Sequence, residues 1–242
     1  MKLDLLAFGA HPDDIELFAG GTLAKMAALG YATGVVDMSR GELGTRGTPA
    51  IRAREAGRAA RILGLKVREN LGLPDGDIRA TAAARLKVVR ILRKYRPPVV
   101  LVHHWEDKHP DHTNTSRLVT EAAHHAGLGK IKTGQERFRP TAVLYFKLPA
   151  GVFPSLVIDV TEFEEKRLAA IQAHRSQLFN PASREPATYL SQPDFLARVK
   201  AVHTYFGTLI GKTMGEGFFV KGTLEIPDLI EFFRHQRPER RH

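Results

Sequence analysis

The chain has 242 residues, 43% hydrophobic and 26% charged, enough for one large globular domain with a substantial core. It has no cysteine, which excludes disulfides and thiolate metal sites and leaves His, Asp and Glu to bind a transition metal. Its formal charge of +10 (36 basic against 26 acidic residues) is spread over helix positions such as Arg52, Arg54, Arg58 and Arg61 and over the tail, with no basic stripe interleaved with aromatics, so no nucleic-acid partner is expected.

In chain order, an apolar run at 3–9 predicts the first strand, and it leads straight into His11-Pro12-Asp13-Asp14-Ile15-Glu16. Helical spacing follows over about 18–29, closed by Gly30. A second strand is expected at 33–38, then a glycine-rich polar loop over 39–48 holding Glu42 and Arg46. Pro49 suits the first turn of a second helix that ends at Gly64. A weak third strand at 66–70, a turn-rich loop at 71–77 and a helix over about 82–95 come next, stopped by Pro97-Pro98. The continuous apolar run 99–102 predicts a fourth strand, opening into His103-His104-Trp105-Glu106-Asp107-Lys108-His109-Pro110-Asp111-His112 and a helix over 113–126. Beyond it, strands are expected at 142–148 and 156–160, helices at 162–174 and 194–209, and a short helix from about 227 to 233. No repeat or linker interrupts the chain, so residues 1–242 read as one domain whose tail after about 234 is expected to be mobile. No apolar run approaches the roughly 20 residues of a membrane span and no signal peptide precedes the first strand, which predicts a cytoplasmic protein without a membrane partner.

Alternating strands and helices with crossovers of this length predict an α/β fold: a Rossmann-like, doubly wound, mostly parallel sheet with helices on both faces. In that topology strands one and four are neighbours and ligands bind where the strand order reverses. The two segments densest in ligand-type residues follow those two strands, so one shared site is expected at their carboxyl ends. Four ionisable groups at the end of a buried strand are costly unless paired, and a divalent metal is the simplest partner. A hydrolytic zinc site takes about three His or Asp/Glu ligands and leaves a position open for water. His-x-x-Asp at 11 and 14 and His-x-x-His at 109 and 112 supply more candidates than it needs.

Ala10-His11-Pro12-Asp13-Asp14-Ile15-Glu16 together with His109-Pro110-Asp111-His112 resembles the signature of the LmbE-like (PIG-L) zinc-dependent N-deacetylases, and the resemblance covers most of the chain. Gly47-Thr48 with Arg52 and Glu55-Ala56, the run Glu106 to His112, and Gly215-Glu216-Gly217-Phe218 are most similar to the branch that deacetylates N-acetylglucosaminyl-malate in bacillithiol biosynthesis. The resemblance implies that His11, Asp14 and His112 bind Zn(2+), with Fe(2+) as the other metal. It implies Asp13 as general base and His109 as oxyanion stabiliser or proton donor. Asp111 would hold an imidazole, that of His109, and favour its charged form. Arg52 would bind the sugar or an anionic aglycone, with Lys108 beside it; Arg46 and Glu42 are further candidate substrate contacts from their place in the rim loop. Many relatives carry Arg where Lys108 stands, and Lys keeps the charge without the bidentate fork. A homo-oligomer, up to a hexamer, is implied by the resemblance alone.

Other residues have plainer readings. Glu16 fits a helix start; His103 and His104 follow a core strand; His124 and His125 lie near a helix end; Trp105 fits packing among loop neighbours. His174 with Ser176-Gln177 resembles a family segment at the pocket edge without an assigned role. The alternatives are a deacetylase of another N-acetylglucosamine conjugate or chitooligosaccharide, a metal-dependent phosphoesterase, and a non-catalytic anion-binding protein.

Overall fold

The structure, a computed structural model, describes residues 1–234; the end of the tail lies outside the described residues. Its elements are β1 (Leu5–Gly9), α1 (Asp14–Phe18), α2 (Gly20–Ala28), β2 (Thr33–Asp37), α3 (Pro49–Leu63), β3 (Val67–Asn70), α4 (Ala82–Tyr95), β4 (Val99–His103), α5 (Pro110–Ala126), β5 (Ala142–Phe146), β6 (Leu156–Asp159), α6 (Glu164–Gln172), α7 (Phe195–Thr208), β7 (Gly215–Val220) and α8 (Leu229–Arg234).

The strands form a seven-stranded sheet in the order β3-β2-β1-β4-β5-β7-β6. Pairing is parallel from β3 to β5, and β7 runs antiparallel between β5 and β6. β1 is central, with Leu5 in register with Thr33 on one side and Val99 on the other. Both of its faces are covered, which is why it reads as an unbroken apolar run. Leu6 and Phe8 pack with Val88, Leu92, Leu118 and Val119 of α4 and α5. Leu5 and Ala7 pack on the opposite face with Ile15, Leu23 and Phe218. Each such large side chain contributes roughly 1.5–3 kcal/mol by leaving water, so these two layers hold the ends of β1 and β4 in place.

Two features depart from the expected elements. The first helix begins at Asp14 and breaks at Ala19 (φ −143°, ψ 9°), so it is two helices, α1 and α2. The break brings Gly21 so close to the chain that an added Cβ would lie 2.8 Å from Val160 Cβ. The second departure is β7, a strand that the glycines of Gly215-Glu216-Gly217-Phe218 obscure. The Glu216 carboxylate, fully buried, accepts from Gly21 N at 2.8 Å and Thr22 N at 2.7 Å, so it caps α2 from the far end of the chain. That motif therefore ties the sheet edge to the first helix pair.

Candidate active site

β1 and β4 end side by side, with Phe8 in register with Val102, so the loops that follow them meet. The first turn is tight: His11 N donates to Asp14 Oδ2 at 2.8 Å, and Asp13 takes φ 147°, a region that costs a non-glycine residue roughly 1–3 kcal/mol. In the second loop Pro110 opens α5 and His109 caps it, its Nδ1 accepting the Asp111 backbone N–H at 3.2 Å.

One donor atom from each of His11, Asp14 and His112 lies within 4.8 Å of the others, a spacing that could hold a metal ion. His112 Nε2 is 3.3 Å from Asp14 Oδ1 and His11 Nδ1 is 3.6 Å from Asp14 Oδ2. The outer nitrogen of each imidazole rests on carboxylates. His11 Nε2 is 3.0 Å from Asp75 Oδ1 and 3.3 Å from Asp111 Oδ2, and His112 Nδ1 is 3.2 Å from Asp107 Oδ2. That is the support metal-bound histidines receive, since it fixes the ring and turns the inner lone pair inward. The pocket also demands positive charge. Burial works against it, yet the carboxylates of Asp111, Asp14 and Asp75 push the His11 imidazole up to about 12. Asp14 is held well below the usual carboxylate range against its burial, by His112 and His103. Two other triads, His11–His109–Asp111 and His103–Asp107–His112, also cluster. The first relies on Asp111, whose carboxylate already accepts from Gly76 N and Ile78 N. The second relies on Asp107, already neutralised by Lys147 Nζ at 2.8 Å. Of the three, the triad at His11, Asp14 and His112 is the one in which both imidazoles have a carboxylate behind them.

Asp13 lies beside this triad. Burial raises its proton affinity, opposed by Arg52, whose Nη2 is 3.1 Å from Asp13 Oδ2. Arg52 also donates to Pro12 O and Gly41 O and is only 4% exposed. A Cβ at Gly41 (φ 68°) would lie 1.8 Å from its Nη1, so the glycine is what lets the guanidinium through. Both terminal nitrogens of Arg52 are thus engaged inside the protein, one of them on Asp13, while its Nε has no hydrogen-bond partner among the described residues. Arg46 is likewise engaged inside the protein. It is 4% exposed, gives Nη1 to Leu178 O and Nε to Glu185, and pins the 41–48 loop to the segment after α6. Glu42 accepts from Arg40 N and Asp75 N, so it bridges two rim loops. Lys108 is exposed beside the site.

The expected pairing of Asp111 with His109 is not what forms. The Asp111 carboxylate accepts from Gly76 N at 2.7 Å and Ile78 N at 3.2 Å and faces His11. The His109 imidazole accepts the Asp111 backbone N–H and packs against the His11 and His112 rings. Burial, then the neighbouring His112 and His11, lower its proton affinity, so its neutral form is favoured, contrary to expectation. With Nδ1 accepting an N–H, the neutral ring carries its proton on Nε2.

Asp75, Asp107 and Lys147 were not among the expected site residues. Asp75 lies on the loop after β3 and Lys147 follows β5, both on the same rim as His11. Their position at the carboxyl end of parallel strands was the available signal. Glu16 is fully buried, bonded to Arg68, with His174 Nε2 3.5 Å away; it supports the core rather than the metal triad. His103 Nε2 is 3.1 Å from Asp14 Oδ2, so this histidine does reach the site. Trp105 packs between His104, Tyr145 and Phe219, with Lys221 over its ring at 3.9 Å.

A doubly wound sheet with a His/Asp cluster at the junction of β1 and β4 defines a Rossmann-like protein with a candidate cation site beside a buried carboxylate. Residues 6–123 match the family model described as PIG-L, GlcNAc-PI de-N-acetylase. The diacetylchitobiose deacetylase of Thermococcus kodakarensis is 28% identical over 234 residues, spanning 90% of this chain and 83% of the relative. The 4-oxalmesaconate hydratase of Pseudomonas putida is 30% identical over 196 residues, spanning 71% of this chain and 73% of the relative. The crystal structure of the conserved protein TT1542 from Thermus thermophilus matches with a TM-score of 0.84 at 39% identity, covering 93% of this chain and 98% of that one. The chain belongs to the PIG-L (LmbE-like) family and is an enzyme of that family. Among the described residues, no helix is long and apolar enough to cross a membrane.

Proposed function

We propose that this enzyme is a metal-dependent N-deacetylase that removes the acetyl group from a small molecule containing N-acetylglucosamine. The observation that carries the reading is the triad His11, Asp14 and His112, with carboxylates behind both imidazoles and Asp13 and His109 beside it. His11, Asp14 and His112 would hold the ion, with zinc the metal proposed and ferrous iron the other choice. Such an ion supplies Lewis acidity toward a water and an amide carbonyl.

The chain's own groups do the rest. Asp13 takes a proton as water adds to the carbonyl carbon, and burial suits it to that role by raising its proton affinity. Arg52 holds Asp13 in place through their 3.1 Å contact. His109 offers Nε2–H to the carbonyl oxygen as negative charge develops there. The C–N bond then breaks, and the amine leaves with the proton that Asp13 received. The products are acetate and a free amino sugar.

The finer reading is N-acetylglucosaminyl-malate as substrate, in bacillithiol biosynthesis. Its support is the resemblance of the Glu106–His112 run. With Arg52 and Arg46 engaged internally, the exposed Lys108 next to His109 is a cation that suits an acidic aglycone. We further propose that residues 1–242 act as one domain, in the cytoplasm, as a homo-oligomer up to a hexamer, a state that sedimentation would test.

The test is a panel of N-acetylglucosamine, diacetylchitobiose and N-acetylglucosaminyl-malate, assayed for primary amine with the zinc-loaded protein. Amine release from one or more supports deacetylation, and fastest release from the malate conjugate supports the finer reading. A second reading, hydration of 4-oxalmesaconate, is carried by the 30% identity to that hydratase. Turnover of 4-oxalmesaconate with no amine from the panel would replace the first reading by the second.

A further inference from the structure

His112 has two suitors at its outer nitrogen. Asp107 Oδ2 is 3.2 Å from Nδ1 and Lys147 Nζ is 2.8 Å from the same atom, while the two suitors are 2.8 Å from each other. They ask for opposite tautomers. A carboxylate can only accept, so contact with Asp107 places the proton on Nδ1 and leaves the Nε2 lone pair facing inward. An ammonium can only donate, so contact with Lys147 leaves Nδ1 bare and moves the proton to Nε2, which then points at Asp14 Oδ1, 3.3 Å away. The first arrangement can bind a cation and the second cannot.

The rest of the surroundings leaves this choice as the variable. The His112 ring is stacked on His103 at 4.0 Å and on His109 at 4.7 Å, so its plane is set by packing. Asp107 is anchored independently, since its Oδ1 accepts from His109 N at 2.8 Å. Lys147 is held in an uncommon conformation. It sits at φ 56°, a region that favours glycine, directly after β5, and its ammonium is 5.4 Å from the Phe18 ring centroid. The strain holds a cation where a glycine would be easier to accommodate.

We propose that Asp107 and Lys147 are opposed positioning residues for His112: Asp107 turns its Nε2 lone pair toward Asp14 and His11, and Lys147 competes for Nδ1 and so limits how tightly the site holds a divalent cation. This rests on the reading of His112 as a metal ligand. Its consequence is that two neighbouring side chains change zinc affinity in opposite directions, which general damage to the loop would not produce.

The experiment measures the zinc dissociation constant by competition with a chromophoric chelator for the intact protein and for Asp107→Asn, Lys147→Met, the double variant and His112→Ala. Circular dichroism confirms that each is folded, and Asp107→Ser replaces Asp107→Asn if that variant is not. Asp107→Asn is expected to bind zinc about 10- to 100-fold more weakly, the usual effect of losing a carboxylate behind a histidine ligand. Lys147→Met is expected to bind it about 3- to 10-fold more tightly, from removal of a competing cation in a partly screened site. In the Asp107→Asn background the gain from Lys147→Met is expected to be larger, because there Lys147 has Nδ1 to itself. A Lys147→Met variant with unchanged or weaker binding overturns the inference. So do additive effects of the two substitutions, which would mean that Lys147 acts only through distant charge. His112→Ala losing zinc supports the underlying reading, and His112→Ala retaining full affinity overturns both.

Discussion

The guanidinium of Arg52 stands 3.1 Å from Oδ2 of Asp13, and the two residues are 4% and 6% exposed. Removing one partner of a buried pair typically costs about 3–5 kcal/mol, because the remaining charge is stranded. Arg52→Ala is therefore expected to lower stability by roughly that amount in urea unfolding. Its activity loss is expected to be similar for N-acetylglucosamine and N-acetylglucosaminyl-malate, since the damage falls on Asp13. A selective loss for the malate conjugate would return Arg52 to the role of aglycone anchor.

Asp13→Asn keeps the shape of the turn but cannot take a proton from water. Asparagine has nearly the size and shape of aspartate, so the turn at φ 147° is expected to survive. The expected loss in kcat is about 10²- to 10⁴-fold, with about one zinc per chain retained. Near-normal turnover would mean that another group serves as base.

Asp111→Asn tests which imidazole Asp111 serves. The carboxylate faces His11 Nε2 at 3.3 Å. The substitution is therefore expected to weaken zinc binding, by about 10-fold or more. Restoring zinc by raising its concentration is expected to recover most of the activity. If kcat stays low at saturating zinc, Asp111 acts on His109 after all.

His109 is read as a neutral N–H donor. His109→Ala is expected to cut kcat by about 10²- to 10³-fold with zinc content unchanged. His109→Gln, which offers an amide N–H, is expected to recover part of the loss. Recovery would not occur if the imidazole must deliver a proton, and zinc loss equal to that of His112→Ala would make His109 a ligand.

Away from the site, His203 on α7 is 2% exposed, with Nδ1 3.1 Å from Val199 O. Burial, aided by the Arg167 cation, pushes it down to about 3 from 6.5. The folded state therefore holds it neutral while the unfolded chain protonates it below about pH 6.5. Its contribution is fully present above pH 6.5 and is lost as the pH falls toward 3. The slope is at most one proton, about 1.4 kcal/mol per pH unit. His203→Gln is expected to flatten the fall in Tm between pH 6.5 and 4.5. Parallel curves for the two proteins would show that other groups carry the acid sensitivity.

How far the chain could be read in advance differs by residue. The apolar run of β4, the helix stops at Gly30 and Gly64, and Pro49 at the start of α3 were legible because each is a local preference of the backbone or of burial. β7 was not, because its pairing with β5 and β6 is made across long stretches of chain and its glycines carry no strand preference. The split between α1 and α2 was hidden for the same reason: the carboxylate that caps α2 is that of Glu216, about two hundred residues away.

At the site, the residue types and their spacing determined by themselves that His11, Asp13, Asp14, His109 and His112 would converge, because the order of strands in a doubly wound sheet places the ends of β1 and β4 together. Only the tertiary structure decided the partners of those groups. A guanidinium reaches far enough to choose among several carboxylates and carbonyls, and packing chose Asp13, Pro12 and Gly41 for Arg52. A carboxylate at a helix start can turn either way, and the N–H groups of Gly76 and Ile78 turned Asp111 toward His11. Lys147 and Asp75 joined the site from other strands, and their contacts depend on the register of the whole sheet. Side-chain direction is set by the shape of the packed interior, which no single stretch of sequence contains.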